Sequence, residues 1–262
     1  MTGDRTVAAI DCGTNSIRLL IASAGPDGHL VEQARDLELV RLGQGVDTTG
    51  AFHPDALERT FVACRTFARA ITEHHCDDVR FVATSAARDV SNRDEFFAGV
   101  RKALGVDAEV IAGSEEAGLS FAGAMSGIEV SEEPVLVIDC GGGSTELVLG
   151  RETKIDSQVS LNIGSVRLRE RFLHDDPPTA EQIDEARTYV REMLTECPVD
   201  MATAHTVVGV AGTVTSLSAI NQGLTEYDRA KVHRSVLTAD QVAGLADTLL
   251  ASTVDEVEQM GP

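Results

Sequence analysis

Apolar and polar positions along this chain alternate in two rhythms, and the switches between them mark out its elements. Residues 8 to 22, AAIDCGTNSIRLLIA, read as a strand, a tight turn and a second strand. The Gly-Pro-Asp-Gly stretch at 25–28 predicts a further turn, and HLVEQARDLELVRL a third extended segment, completing a meander. From 54 to 75 the apolar residues Leu57, Phe61, Cys64, Ala68 and Ile71 recur at steps of four and three, with Pro54 suited to a first helical turn, so a core-facing helix is expected. VRFVATSA (79–86) and AEVI (108–111) predict strands, with helices over 91–104 and 113–125. Strand and helix thus alternate after the meander, which predicts a mixed α/β unit with parallel pairing.

The polar stretch SGIEVSEE (126–133) reads as a boundary, giving expected domains at 1–125 and 126–262. Beyond it VLVIDCGGGSTELVLG (135–150) again runs strand, glycine turn, strand, and KIDSQVSLNI continues as an extended segment before a helix from Ser165. Thr179 with Gln182, and Thr238 with Gln241, have capping-box spacing ahead of helical patterns. TVVGVAGTVTSLSAI reads as strand, glycine-containing turn and helix.

Composition narrows the class. With 262 residues, 43% hydrophobic and 24% charged, the chain can bury a sizeable core, and two domains are the default. No apolar run approaches a membrane span and the start lacks a secretory signal, so no membrane partner and a cytoplasmic location are expected. The cysteines, Cys12, Cys64, Cys76, Cys140 and Cys197, are odd in number and form no C-x-x-C pair; they are expected as reduced, buried small residues. A formal net charge of −20 disfavours general binding to nucleic acid. An anionic substrate must therefore be met locally.

The two glycine turns are related. Setting Asp11 on Asp139 also matches Ile10, Cys12, Gly13, Ser16 and Leu19 with Ile138, Cys140, Gly141, Ser144 and Leu147. A glycine turn with a flanking hydroxyl can offer backbone N–H groups to phosphate oxygens, and an aspartate at a strand end is a hard oxygen ligand for Mg²⁺. A Rossmann turn would have to open a helix, and a Walker A loop needs Gly-Lys-Ser/Thr; neither fits. A plain hairpin remains the alternative for either turn alone.

These motifs resemble the actin, Hsp70 and sugar-kinase superfamily. More narrowly, DCGTNSIRLL, ATSAARDVSN, IAGSEEA, VIDCGGGSTELVLG and VGVAGT, in that order over residues 11 to 213, resemble the exopolyphosphatase and guanosine pentaphosphate phosphohydrolase (Ppx/GppA) family. The resemblance implies an α/β fold of two actin-like (ribonuclease H-like) domains with a phosphate-binding interdomain cleft. It implies phosphate loops at Gly13, Thr14, Asn15 and Ser16 and at Gly141, Gly142, Gly143, Ser144 and Thr145. Magnesium is implied near Asp139 and Glu146, with Asp11 a weaker candidate, and Arg88 is implied on the phosphoryl oxygens. The residues alone read Ser114 as an N-cap and Glu115 and Glu116 as first-turn carboxylates opposing the helix dipole; the resemblance selects Glu116 as catalytic base. Arg88 read alone is solvated or paired with Asp89.

The implied activity is hydrolysis of the terminal phosphoanhydride of inorganic polyphosphate, releasing orthophosphate. Guanosine pentaphosphate is the rival substrate, and an actin-like ATP-binding protein or a non-catalytic phosphate or alarmone sensor the rival classes. Arg93, Arg101, Lys102, Arg167, Arg169 and Arg171 are candidates for a basic track, each with a solvated helix face as its plain alternative. Family members usually continue beyond a segment such as EVEQMGP with another strand and helix, and often a further helical domain, so a short form is expected, with a second domain incomplete at its C-terminal end as the alternative. A homodimer is kept open.

Overall fold

The computed structural model describes residues 5–25, 30–88 and 90–261, and the chain divides into two compact units, Met1–Ala112 and Gly113–Pro262. In the first unit, strands β1 (Thr6–Cys12), β2 (Ser16–Ala24) and β3 (Leu30–Leu39) form the expected meander. The turn expected at 25–28 lies outside the described residues beyond Gly25. There follow a short helix α1 (Val46–Thr49), α2 (Pro54–Glu73), β4 (Asp78–Ala83), α3 (Arg93–Leu104) and β5 (Ala108–Val110). The sheet order is β3-β2-β1-β4-β5, with β1, β4 and β5 parallel and β2 antiparallel to its neighbours.

Period-two alternation decides which face is covered. Ala8, Ile10 and Cys12 of β1, Ile17, Leu19 and Ile21 of β2, and Phe81 and Ala83 of β4 pack with Leu57, Cys64 and Phe67 of α2 and Phe96 and Val100 of α3. The buried stripe of α2 is Ala56, Leu57, Thr60, Ala63, Cys64 and Phe67, so the expected Phe61, Ala68 and Ile71 sit at its margin. Small Ala56 and Ala63 let the helix approach the sheet more closely than a reading by large side chains foresees.

The second unit opens with α4 (Gly113–Ser126), followed by β6 (Val135–Cys140), β7 (Thr145–Arg151) and β8 (Lys154–Leu161). Helices α5 (Ser165–Arg171) and α6 (Ala180–Thr195), strand β9 (Thr206–Val210) and helices α7 (Ala211–Asn221), α8 (Arg229–Val232), α9 (Ala239–Ala251) and α10 (Val254–Glu258) complete it. Both expected capping boxes form. The sheet order is β8-β7-β6-β9, with β6 and β9 parallel.

The boundary expected after residue 125 thus falls earlier, at 112/113. Helix α4 belongs to the second unit because its Ala117 and Phe121 are buried against Val135, Val137 and Val148. The opposite face, with Leu136, Leu147, Leu149 and Leu161, packs among residues of α6, including Tyr189, Val190 and Leu194. Strand β6 is therefore buried on both faces, which is why it reads as a continuous apolar run and not an alternating one.

Burial pushes the Cys64 thiol up to about 12 and the Cys12 thiol well above the usual thiol range. The stability these thiols confer is fully present below the unfolded thiol value of about 8.5 and is lost as pH rises toward the folded values. Native protein at pH 8 is expected to show Cys12 and Cys64 protected from a disulfide thiol reagent, with labelling confined to Cys76, Cys140 and Cys197 until denaturant is added. Urea midpoints should fall above about pH 9, and less steeply in Cys64→Ala.

Candidate active site

Each glycine loop lies at the carboxyl edge of its sheet, where α/β folds place ligands. In the second unit the loop follows β6, and its carbonyls are held from one side. Gly141 O accepts from the Ser165 N–H (3.0 Å), Gly142 O from Val166 and Arg167 N–H (2.9 and 3.1 Å), and Gly143 O from Arg167 Nε (2.9 Å). A trans peptide points its C=O and N–H in opposite directions. Pinning these carbonyls to the start of α5 therefore turns the N–H groups of Gly142, Gly143 and Ser144 the other way. Gly164 allows this approach: a Cβ there would meet Gly142 C at 2.3 Å, its O at 2.4 Å and Gly143 N at 2.4 Å.

The first unit builds the same device from the corresponding segment after its third strand. Asn15 O accepts from Val40 and Arg41 N–H (3.1 and 2.8 Å), and Thr14 O from Gly43 N–H (2.8 Å), which turns the Asn15 and Ser16 N–H groups outward. Both loops are closed by the same bond, Gly13 N–H to Ser16 O at 2.9 Å and Gly141 N–H to Ser144 O at 3.0 Å. Neither Gly13 nor Gly141 has positive φ. At Gly141 a Cβ would stand 3.1 Å from Ser144 O, a close approach, whereas at Gly13 the same distance, to Ser16 O, is an ordinary 3.4 Å.

Side chains flank each loop within its own unit. In the first unit, Thr14 Oγ1 is buried without a hydrogen-bond partner, Asn15 is exposed and Ser16 half-buried. Asp11 stands in register with Arg18 on β2. Arg88 lies past the end of β4, half-buried, its Nε donating to Ile111 O at 3.1 Å, so the guanidinium is held at the same sheet edge as the loop. The pairing with Asp89 falls outside the described residues.

In the second unit Asp139 is in register with Glu146 across β6 and β7, and Glu146 with Ser160 across β7 and β8. Register partners project to one face, so two carboxylates stand side by side beneath α4. Glu146 is 1% exposed and accepts from Ser160 Oγ at 2.6 Å. Asp139 accepts from Ser120 Oγ of α4. Glu115 and Glu116 occupy the first turn of that helix, which begins at Gly113, so Ser114 lies inside the turn and not at the cap expected for it. Glu116 is four residues before Ser120 and shares its flank. The aspartates Asp11 and Asp139 are equivalent by sequence, yet their register partners differ: an arginine, Arg18, stands opposite the first, whereas a second carboxylate, Glu146, stands opposite the other.

Of the expected loop residues, Thr145 is turned inward, its hydroxyl donating to Ile163 O at 3.1 Å, and Ser144 is 2% exposed. Thr145 thus frames the loop. The expected basic track is not a row of open cations. Arg101 pairs with Asp107, Arg171 bonds and stacks on Tyr189, and Arg167 holds the loop. A depression of about 450 Å³ between α5 and α6, lined by Phe172, Glu181, Asp184, Glu185, Thr188, Tyr189 and Glu192, carries the wrong charge for an anion. Sequence reasoning missed Gly43, Gly164, Ser120 and Ser160 and read Arg167 only as part of a track; of these, Ser120 alone left a signal, its spacing from Glu116.

No group of three or more His, Cys, Asp or Glu side chains suited to a metal occurs among the described residues. The Asp139–Glu146 pair nevertheless fits Mg²⁺, which keeps several waters and uses one or two carboxylates together with substrate phosphates. Among the described residues no helix is long and apolar enough to cross a membrane.

Two sheets of this strand order, each with a glycine hairpin loop at its carboxyl edge, define the actin-like α/β fold. Residues 21–260 match the model of the Ppx/GppA phosphatase family, and the chain belongs to that family. It is 48% identical to Exopolyphosphatase 2 of Mycobacterium tuberculosis, over 98% of this chain and 83% of that protein. The crystal structure of an exopolyphosphatase-like protein superposes with TM-score 0.92 at 46% identity, covering 98% of this chain and 82% of that one. A family member from Aquifex aeolicus does so with TM-score 0.76 at 35% identity, covering 96% and 81%.

Replacing Gly164 by Ala forces backbone apart, and Arg167→Met frees the Gly143 carbonyl. Each is expected to weaken tripolyphosphate binding, measured by calorimetry, by about 10-fold or more, the scale of one hydrogen bond to a charged group. Arg169→Met, on an exposed position of the same helix, is expected to change it far less.

Proposed function

We propose that this protein is an exopolyphosphatase: it hydrolyses the terminal phosphoanhydride of linear polyphosphate, with Mg²⁺, in the cytoplasm. The observation that carries the reading is the pair of adjacent carboxylates, Asp139 and Glu146, beside a loop whose carbonyls are pinned away from the same sheet edge. The 48% identity to a named exopolyphosphatase along nearly the whole chain supports it.

In the first unit the backbone N–H groups of Asn15 and Ser16 offer donors to phosphoryl oxygens, and Thr14 Oγ1 gains the partner it lacks; in the second unit those of Gly142, Gly143 and Ser144 hold the terminal phosphoryl oxygens. Arg88 donates to the oxygens on which charge grows, its fork kept in place by the Ile111 carbonyl. Asp139 and Glu146 would hold the Mg²⁺, which would supply positive charge against the phosphate oxygens. Glu116 takes the proton of the attacking water as its oxygen bonds to the terminal phosphorus; the bridging P–O bond breaks, and orthophosphate leaves the shortened chain. The first-turn position of Glu116 puts its carboxylate near the positive end of the helix dipole.

Orthophosphate release should be measured from long polyphosphate, guanosine pentaphosphate and ATP, with Mg²⁺ and with a chelator. Polyphosphate is expected to be the best substrate and the chelator to abolish turnover. Glu116→Gln is expected to lower kcat by about a hundredfold to ten-thousandfold with little change in KM, as for loss of a general base. Faster release from guanosine pentaphosphate would move the assignment to that substrate. Binding of polyphosphate with no turnover of any of the three would make the protein a sensor and sink the hydrolase reading.

A further inference from the structure

Helix α4 does more than carry Glu116. A serine within a helix ordinarily returns its hydroxyl to a carbonyl of the preceding turn, as Ser126 does to Gly123 O at 2.9 Å on this same helix. Ser120 instead donates to Asp139 Oδ2 on β6. On the other flank, the helix is tied down by Gln158 of β8, whose Nε2 donates to Ser114 O at 3.2 Å. Gln158 and Ser160 lie on the α4-facing side of the sheet, two residues apart on one strand.

The two cation carboxylates are thus each held by a serine hydroxyl from a different element: Asp139 by Ser120 of the helix, Glu146 by Ser160 of the sheet. A carboxylate has two acceptor oxygens, and a donor fixed on one of them sets the direction of the other. We propose that Ser120 is a positioning residue that orients Asp139 for the cation and, lying one turn beyond Glu116 on the same flank, fixes the base-bearing helix to the cation site. This rests on the reading of Asp139 and Glu146 as the Mg²⁺ ligands. A charge-assisted O–H···O⁻ bond in a half-buried setting is strong enough to hold both groups. The spacing between base and cation is then set by one helical turn and one hydrogen bond.

The test is Mg²⁺ binding without substrate, followed by calorimetry and by the Mg²⁺-dependent rise in Tm, with orthophosphate release measured in parallel. Ser120→Ala is expected to raise the Mg²⁺ dissociation constant about 10-fold or more, the usual cost of losing a partner behind a metal ligand. Ser120→Thr keeps the hydroxyl and should restore the affinity. Where Ser120→Ala does not fold, by circular dichroism, Ser120→Cys, with its weaker donor, is read in the same way. Gln158→Leu loosens the other flank without touching Asp139 and is expected to leave Mg²⁺ affinity unchanged. Equal weakening in Gln158→Leu would mean that Ser120 only packs the helix, and would overturn the proposal. A wild type that binds Mg²⁺ and turns over polyphosphate, with Ser120→Ala unaltered in affinity, overturns it alone. A wild type that does neither overturns the hydrolase reading as well.

Discussion

The structure depends on a hydrogen-bonding constraint in the peptide group: a carbonyl fixed on one side commits the following N–H to the other. Both glycine loops are built on it. In one the start of α5 holds the carbonyls of Gly141, Gly142 and Gly143, and in the other the segment from Val40 to Gly43 holds those of Thr14 and Asn15. In each case the holder is the stretch that follows the third strand of the meander. The meander therefore brings its own end back to its first turn, and the loop is organised before any ligand arrives. Preorganised donors of this kind need no rearrangement when charge develops on a bound oxygen.

The carboxylates obey the complementary constraint. Adjacent negative groups, one buried and one half-buried, repel one another and lose hydration, so each needs donors and the pair favours a cation. Ser120 and Ser160 provide the donors. Packing of Ala117 and Phe121 on Val135, Val137 and Val148 holds α4 close enough for Ser120 to reach. The same apolar contact that assigns α4 to the second unit thus determines where Ser120 and Glu116 stand relative to Asp139. At the equivalent place in the first unit Arg18 takes the position of Glu146, and the pair of like charges is gone.

On the proposed reading, a chain with net charge −20 meets a polyanion through local groups and not through its overall charge. The donors that reading calls on are backbone N–H groups and one oriented guanidinium, and most candidate surface arginines are engaged with acids, rings or carbonyls. Exposed charges beyond about 8 to 10 Å are screened at physiological salt, whereas fixed dipoles at contact distance are not. Binding governed by the loops needs no basic surface.

Much of this was written locally. The duplicated Asp-Cys-Gly turn, the meander, both capping boxes and the helix with Glu116 follow from residue type and period, because strands, turns and caps involve neighbours within a few positions. The domain boundary was misplaced because polar composition at 126–133 is a surface property, whereas the unit to which α4 belongs is a matter of what Phe121 packs against. Likewise nothing local distinguishes Arg167 from Arg169, and only the return of α5 onto the loop puts Gly143 O within reach of one and not the other. The sequence by itself determined two glycine hairpins, their acidic leads and the family they belong to. Only tertiary structure decided which carbonyls are pinned, which aspartate has a carboxylate beside it and which serine holds it, because each is a contact between residues far apart in the chain.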